Sequence, residues 1–242
     1  MADSSPKRFA GKVVLVAGGA GGLGRAVSLA FLAEGAQVVV PYRRQSEMDA
    51  LAKLAGDAAS LEGHVLDLSD SAAVTNLVEG ILASHSHLDI LVNTVGAWAG
   101  GAKFWQADAG EFDRMLALNL RTGYSLLRAV LPPMLQQGSG AIVNIASRAA
   151  VDHAGSAAGY VASKAAAVAM IDSLAADLKG TGVRANSVLP GIIDTEANRQ
   201  AMPNADFAKW PKPEAIARVI LFLCSEDALL INAASIPVYG DA

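Results

Sequence analysis

Tyr160 and Lys164 are the residues whose types and spacing best suit chemistry, because they are four apart and share one face of a predicted helix. An unperturbed phenol has a pKa of about 10, too high for proton release near neutrality. We expect the Lys164 ammonium group to favour the phenolate and so to lower the pKa of Tyr160. Ser147 precedes the tyrosine by thirteen residues and is placed to donate a hydrogen bond to the same substrate oxygen.

The scaffold that positions these residues is predicted from alternating strand and helix patterns. The predicted strands cover residues 12–17, 37–40, 64–66, 88–93, 141–146, 183–189 and 235–239. Six helices separate them, including one over 111–131 that Pro132 and Pro133 should stop, and one over 159–179. This alternation predicts a single α/β domain over residues 1–242, a Rossmann fold with a seven-stranded, doubly wound parallel sheet and helices on both faces.

The glycine-rich stretch at 18–24 follows the first predicted strand and precedes a helix, which is the setting of a dinucleotide-binding loop. Ligands of doubly wound sheets bind at the carboxyl ends of the strands. Asp67, Asn93, Ser147 and Pro190 all fall at such ends. We therefore expect these elements to line one crevice.

Composition limits the function classes. Of the 242 residues 52% are hydrophobic and 17% are charged, which fits a parallel sheet buried on both faces. The net charge of −4 argues against a nucleic-acid partner, and the lone cysteine and scattered histidines give no metal site. Residues 1–9 are expected to be flexible and lack a signal-peptide core. With no apolar run long enough to cross a bilayer, we expect a cytoplasmic protein without a membrane partner.

Taken together, the motifs resemble the short-chain dehydrogenase/reductase family over nearly the whole chain. The family's Thr-Gly-x-x-x-Gly-x-Gly motif has its counterpart at 17–24, and its Asn-Asn-Ala-Gly motif at 93–96. Ala17 lacks the usual hydroxyl, and Thr94 and Val95 replace Asn and Ala, so the bracing of these loops should differ. The resemblance implies an oxidoreductase whose catalytic residues are Asn119, Ser147, Tyr160 and Lys164.

The resemblance also implies a role for each of these residues. Tyr160 would protonate a carbonyl or imine that receives hydride, and Lys164 would lower the pKa of Tyr160 and hydrogen-bond the nicotinamide ribose. Ser147 would stabilise developing oxyanion charge, and Asn119 would hold a water molecule in a proton relay. Without such roles, Ser147 would be a turn residue at a strand end and Asn119 a polar residue inside a helix.

Residues after the second strand predict the cofactor. An acidic residue there would accept the 2′-hydroxyl of NAD, whereas arginine accommodates a 2′-phosphate. Tyr42, Arg43 and Arg44 stand there, which favours NADP(H) over NAD(H) unless both arginines are merely solvated. The other cofactor contacts implied by the resemblance are Gly18, Gly22, Leu23, Gly24, Asp67, Leu68, Asn93, Gly96, Tyr160, Lys164, Pro190, Ile193 and Thr195.

The substrate is a small molecule whose identity stays open. Two loops resemble the corresponding loops of dihydropteridine reductases. One contains Trp98, and the other, a predicted substrate loop over 191–212, contains Met202 and Trp210. With Trp105 they could form a flat apolar slot next to Ser147 and Tyr160, or they could simply pack the loops. The rest of the chain resembles 3-oxoacyl-carrier-protein reductases. A carbonyl reductase, a reductase of a quinonoid dihydropterin and a redox sensor that binds NADP(H) without turnover are the alternatives.

The helices predicted over 111–131 and 159–179 indicate self-association. The second is rich in alanine on all sides, and a helix that is apolar all round needs cover on every side. We expect a homodimer or homotetramer built on these two helices, as in the resembling family.

Overall fold

A computed structural model describes residues 7–56 and 60–241 of the chain. At its centre lies a seven-stranded sheet in which every neighbouring pair is parallel, in the order β3-β2-β1-β4-β5-β6-β7. The strands are β1 (Val13–Ala17), β2 (Gln37–Tyr42), β3 (Leu61–Val65), β4 (Ile90–Asn93), β5 (Gly140–Ile145), β6 (Val183–Pro190) and β7 (Ser235–Val238). The predicted doubly wound fold is confirmed.

The helices cover both faces of this sheet. They are α1 (Gly22–Ala33), α2 (Gln45–Ala55), α3 (Ser71–His85), α4 (Ala109–Leu116), α5 (Thr122–Gln137), α6 (Ala149–Asp152), α7 (Ala158–Asp177), α8 (Glu196–Ala201) and α9 (Pro213–Cys224), with a π-helical turn at Ala117–Arg121 between α4 and α5. In the part of the chain that the structure describes, no helix is long and apolar enough to cross a membrane.

Strand alternation divides the interior into two cores. Val14 and Val16 of β1 face the core that α1 and α9 complete, whereas Leu15 and Ala17 face the core of α3, α5 and α7. Each of these four side chains is fully buried. Because both faces of the strand are covered, β1 is apolar throughout, as a central parallel strand should be.

Two predicted boundaries are wrong. The strand predicted at 64–66 begins earlier, at Leu61, because it pairs along β2 as an edge strand although Glu62 and Gly63 are poor strand formers. The helix predicted to stop before Pro132 runs on to Gln137. Each proline removes a hydrogen-bond donor, but the fully buried Met134 holds the next turn against the core, so packing outweighs the loss.

Of the residues 1–9 that are predicted to be flexible, the structure describes 7–9. Phe9 is buried, its ring lies 4.9 Å from that of Phe31, and its N–H donates to the carbonyl of Glu34 at 3.0 Å. Residues 1–6 lie outside the described part of the chain.

Candidate active site

The glycine loop joins β1 to α1 and is too tight for side chains. Gly18 adopts a φ of +76°, a conformation that favours glycine, and a Cβ on Gly24 would lie 2.0 Å from the carbonyl oxygen of Gly18. A Cβ on Gly22 would lie 2.9 Å from Thr195, on the far side of the cleft. The loop therefore forms a cradle in which backbone can approach a ligand, at the start of a helix whose first N–H groups have no side-chain cap.

Thr94 braces this loop in place of the hydroxyl that Ala17 lacks. The Thr94 hydroxyl donates to the Ala17 carbonyl at 2.8 Å, and the Thr94 N–H donates to the same oxygen at 2.9 Å. A Cβ on Gly18 would lie only 2.7 Å from the Thr94 hydroxyl oxygen. The loops after β1 and β4 are thus locked together by a residue of this chain, which agrees with the expected difference in bracing.

A cleft of about 630 Å³ runs along the glycine loop at the carboxyl ends of the strands, and a second depression of about 1000 Å³ adjoins it toward α8. The first is lined by most of the predicted cofactor residues, namely Gly18, Gly22, Leu23, Gly24, Tyr42, Arg43, Arg44, Asp67, Leu68 and Gly96. The second shares Gly22, Leu23 and Gly96 and adds Ile193 and Thr195. The structure therefore brings these residues to one continuous groove.

Four predicted cofactor residues, namely Asn93, Tyr160, Lys164 and Pro190, are not among the residues that line the groove. Asn93 and Pro190 lie behind it. Asn93 is 4% exposed, donates to the Asn144 side chain at 2.9 Å and accepts from the N–H of Val95 at 3.2 Å. Pro190 is buried at the end of β6, where its carbonyl accepts from the N–H of Arg148 at 2.8 Å. Both residues support the loops that form the groove.

The charged groups at the far end of the cleft are paired with one another. Arg44 forms an ion pair with Glu47, and Arg43 lies 3.9 Å from Asp67. A backbone hydrogen bond from Ser69, more than the nearby arginine, lowers the pKa of Asp67. Sequence reasoning missed Glu47, although its position three residues after Arg44 on a helix is the spacing of an ion pair.

Tyr160 stands in the first turn of α7, and Ser147 follows β5. Burial raises the pKa of Tyr160, and the side-chain hydrogen bond with Ser147 acts in the opposite direction. The predicted lowering of this pKa is wrong in direction, because desolvation of the phenolate dominates. Burial therefore makes the phenol a weaker acid than a free tyrosine side chain.

Lys164 lies one turn further along α7 and is 5% exposed. Its ammonium group donates to the carbonyl oxygen of Ile145 at 3.0 Å, and burial lowers its pKa to about 8. A Cβ on Gly96 would lie 2.9 Å from the Lys164 nitrogen. Because Gly96 also lines the groove, the Lys164 nitrogen lies next to the wall of the groove.

Asn119 occupies the π-helical turn and fixes a loop. Its side-chain oxygen accepts from the N–H of Ala97 at 2.8 Å, and its amide donates to the Ala97 carbonyl and to the Ser163 hydroxyl, each at 3.0 Å. The amide therefore joins the loop after β4 to α7 next to Lys164. The predicted water relay through Asn119 stays a prediction, and its contact with Ser163 had no signal in the sequence.

The predicted aromatic slot is not assembled. Trp98 and Trp105 are 67% and 80% exposed, whereas Trp210 is 7% exposed and packs on Phe207, with ring centroids 4.9 Å apart. Met202 is half-buried. Across residues 7–56 and 60–241, no ring contact joins the three tryptophans. Within the predicted substrate loop over 191–212, Arg199 donates hydrogen bonds to Asp194 at 2.5 and 2.8 Å.

Comparisons with known proteins agree with this geometry. The family model described as short chain dehydrogenase matches residues 12–206. Curated relatives include the 3-oxoacyl-[acyl-carrier-protein] reductase FabG of Thermotoga maritima, 31% identical over 96% of this chain and 98% of its own length, and the D-threitol dehydrogenase of Mycolicibacterium smegmatis, 35% identical over 96% and 93%.

Solved structures give the same picture. A short-chain dehydrogenase/reductase from Burkholderia xenovorans superposes with a TM-score of 0.90 at 36% identity, covering 97% of both chains. A structure of ElxO with NADP bound superposes with a TM-score of 0.89 at 25% identity, covering 95% of this chain and 97% of that one.

Proposed function

The chain belongs to the short-chain dehydrogenase family of oxidoreductases, which bind a nicotinamide cofactor, and we propose that it transfers hydride between NADP(H) and a carbonyl or alcohol substrate. One observation carries this proposal. The Tyr160 phenol, with Ser147 beside it, lies one helical turn from the buried Lys164, whose nitrogen would lie 2.9 Å from a Cβ on Gly96 in the wall of the cleft.

The cleft fits a dinucleotide. Its glycine loop has no room for side chains at Gly22 or Gly24, so backbone N–H groups can approach a pyrophosphate. Arg43 and Arg44 line its far end, where guanidinium groups suit a 2′-phosphate. Gly96, Ile193 and Thr195 line the other end. The NADP bound in the structure of the relative ElxO adds support for the choice of NADP(H).

The side chains of the site divide the proton chemistry among them. A nicotinamide cofactor held in the groove would supply or accept the hydride. Ser147 donates a hydrogen bond to the substrate oxygen, and Tyr160 gives that oxygen its proton. Burial opposes this transfer by raising the pKa of the phenol, whereas the hydrogen bond with Ser147 favours it. The Lys164 ammonium group, whose pKa is about 8, is charged near neutrality and stabilises the phenolate that remains.

The relatives favour a carbonyl or alcohol substrate over a pterin ring. FabG is named for a 3-oxoacyl carrier protein, and other relatives for D-threitol and for meso-2,3-butanediol. Each name describes the exchange of an alcohol and a carbonyl group. The pterin alternative depended on an aromatic slot, and the rings of Trp98 and Trp210 do not form one.

A Tyr160→Phe variant tests the proposal. NADPH oxidation would be measured with a short 3-oxoacyl thioester, a vicinal diketone and a quinonoid dihydropterin. We expect turnover to fall by about a hundredfold or more, since a proton donor is lost, while the affinity for NADPH is retained. Tyr124→Phe, on the half-exposed tyrosine of α5, is the matched control and should keep wild-type turnover, because it removes only a hydroxyl far from Ser147 along the chain and keeps the apolar ring. Full activity of Tyr160→Phe would refute the proposed chemistry.

Self-association is a further part of this proposal. Phe112 of α4 and Tyr124 of α5 are 39% and 51% exposed, and Val161, Ala165 and Val168 of α7 are partly exposed. These apolar surfaces are suited to cover by a second copy of the chain. We propose a homodimer or homotetramer that buries them.

A further inference from the structure

The adenosine end of the cleft carries opposite charges that pair with each other. Arg44 occupies the N-cap position of α2 and forms an ion pair with Glu47, three residues further along the chain. Both residues line the cleft, and the Glu47 side chain is the more sheltered, at 34% exposed against 74% for Arg44. In the structure the guanidinium group is therefore already bound by a carboxylate of the same cleft.

This pairing matters for the choice of dinucleotide. A 2′-phosphate is an anion that binds arginine through charge-assisted hydrogen bonds, so it must take the Arg44 guanidinium from Glu47 and tolerate the freed carboxylate nearby. The 2′-hydroxyl of NAD(H) has the opposite requirement, because it donates a hydrogen bond to a carboxylate. The Glu47 carboxylate thus opposes the binding of NADP(H). The same carboxylate would favour the binding of NAD(H), because it can accept a hydrogen bond from the ribose 2′-hydroxyl.

We propose that Glu47 competes with the ribose 2′-phosphate for Arg44 and thereby sets the ratio of NADPH to NADH affinity. This inference rests on the proposed function in that it takes the cleft to bind a nicotinamide dinucleotide. It adds a specificity residue that is distinct from the arginines after β2. Removal of the Glu47 carboxylate should therefore increase the selectivity for NADP(H) without the addition of a cation.

Asp67 is less suited to this role. It lies 3.9 Å from Arg43, and both side chains are more than half exposed, so their attraction is weak. Its carboxylate also accepts from the N–H of Ser69 at 2.9 Å, which commits it to the turn after β3. The Arg44 pair is the closer of the two.

The test is a titration of Glu47→Gln with NADPH and with NADH by isothermal calorimetry. The variant is expected to bind NADPH about three- to tenfold more tightly, the range expected for release of an exposed ion pair and of one like charge, and to bind NADH equally or more weakly. Asp49→Asn is the matched control. It removes the same charge from an exposed site on the same helix, where Asp49 accepts from Gln45 outside the cleft, and should leave the ratio unchanged.

A double-mutant cycle isolates the competition. In an Arg44→Met background the part of the Glu47→Gln effect on NADPH affinity that comes from the shared guanidinium should disappear, leaving only the smaller effect of removing one like charge. An undiminished effect there would show direct repulsion of the phosphate and overturn the competition. An unchanged ratio in Glu47→Gln, or the same change in Asp49→Asn, would also overturn it.

The proposed NADP(H) preference fails separately, by a different result. If the wild-type protein binds NADH more tightly, that preference is wrong, whereas a ratio that still shifts toward NADPH in Glu47→Gln supports the role of Glu47. If the wild-type protein binds neither dinucleotide, the cleft assignment is wrong, and the inference is overturned with it.

Discussion

Replacing Lys164 with methionine should make the protein more stable near neutral pH while abolishing its chemistry. Lys164 is 5% exposed, and burial lowers its pKa from the ordinary 10.5 to about 8. This shift corresponds to about 3 kcal/mol of destabilisation of the folded state while the group is charged. Loss of the hydrogen bond to the Ile145 carbonyl offsets about 1 kcal/mol. We expect a net gain of about 2 kcal/mol in the free energy of unfolding.

The gain should depend on pH with a definite sign. Below the folded pKa of about 8 the lysine is charged in both states, and its full penalty is present. Between about 8 and 10.5 the unfolded chain holds a proton that the folded protein has released, so the wild-type protein gains stability as the pH rises. The methionine variant has no such gain, and its advantage should shrink across this window.

Urea unfolding of the ligand-free proteins at about pH 7 and about pH 9.5 measures the gain in stability and its dependence on pH. Lys179→Met, on an exposed lysine beyond the end of α7, is the control and should show little difference at either pH. The reasoning is refuted if Lys164→Met is less stable than the wild-type protein, or if its advantage is the same at both pH values. Either result would mean that burial of charged Lys164 does not destabilise the folded protein.

Two further predictions concern the glycine loop and the assembly. Gly24→Ala should weaken binding of either dinucleotide by about tenfold or more, because a Cβ there would lie 2.0 Å from the Gly18 carbonyl oxygen and must move backbone. Calorimetric titration measures this, with Gly80→Ala, in open space on α3, as a control that should bind normally. Light scattering at micromolar concentration should give a multiple of the 24.8 kDa chain mass, and a monomer would contradict the proposed self-association.

The sequence was sufficient for the sheet and for the residues at its edge. Central strands such as β1 and β5 are buried on both faces, so their apolar runs cannot be mistaken for surface segments. Parallel strands bring their carboxyl ends to one edge, which is why residues far apart along the chain, such as Gly18 and Ser147, could be placed there together.

Other features depend on long-range packing that no local pattern records. The continuation of α5 beyond its prolines depends on the burial of Met134 in the core of α3, α5 and α7. The brace from Thr94 to the Ala17 carbonyl joins loops whose residues are 77 positions apart. Contacts of this kind join residues that are distant in the sequence and that meet only in the folded chain.

Residue types and spacing alone determined that this chain carries a tyrosine, a lysine and a serine at the ligand edge of a dinucleotide fold. Only the tertiary structure decided how those groups ionise. The sequence placed the ammonium group close enough to lower the pKa of Tyr160, yet the folded protein buries the phenol, and burial raises that pKa. The reason is that spacing along a helix fixes which groups are neighbours, whereas the loss of water around them is set by every element that packs against the site.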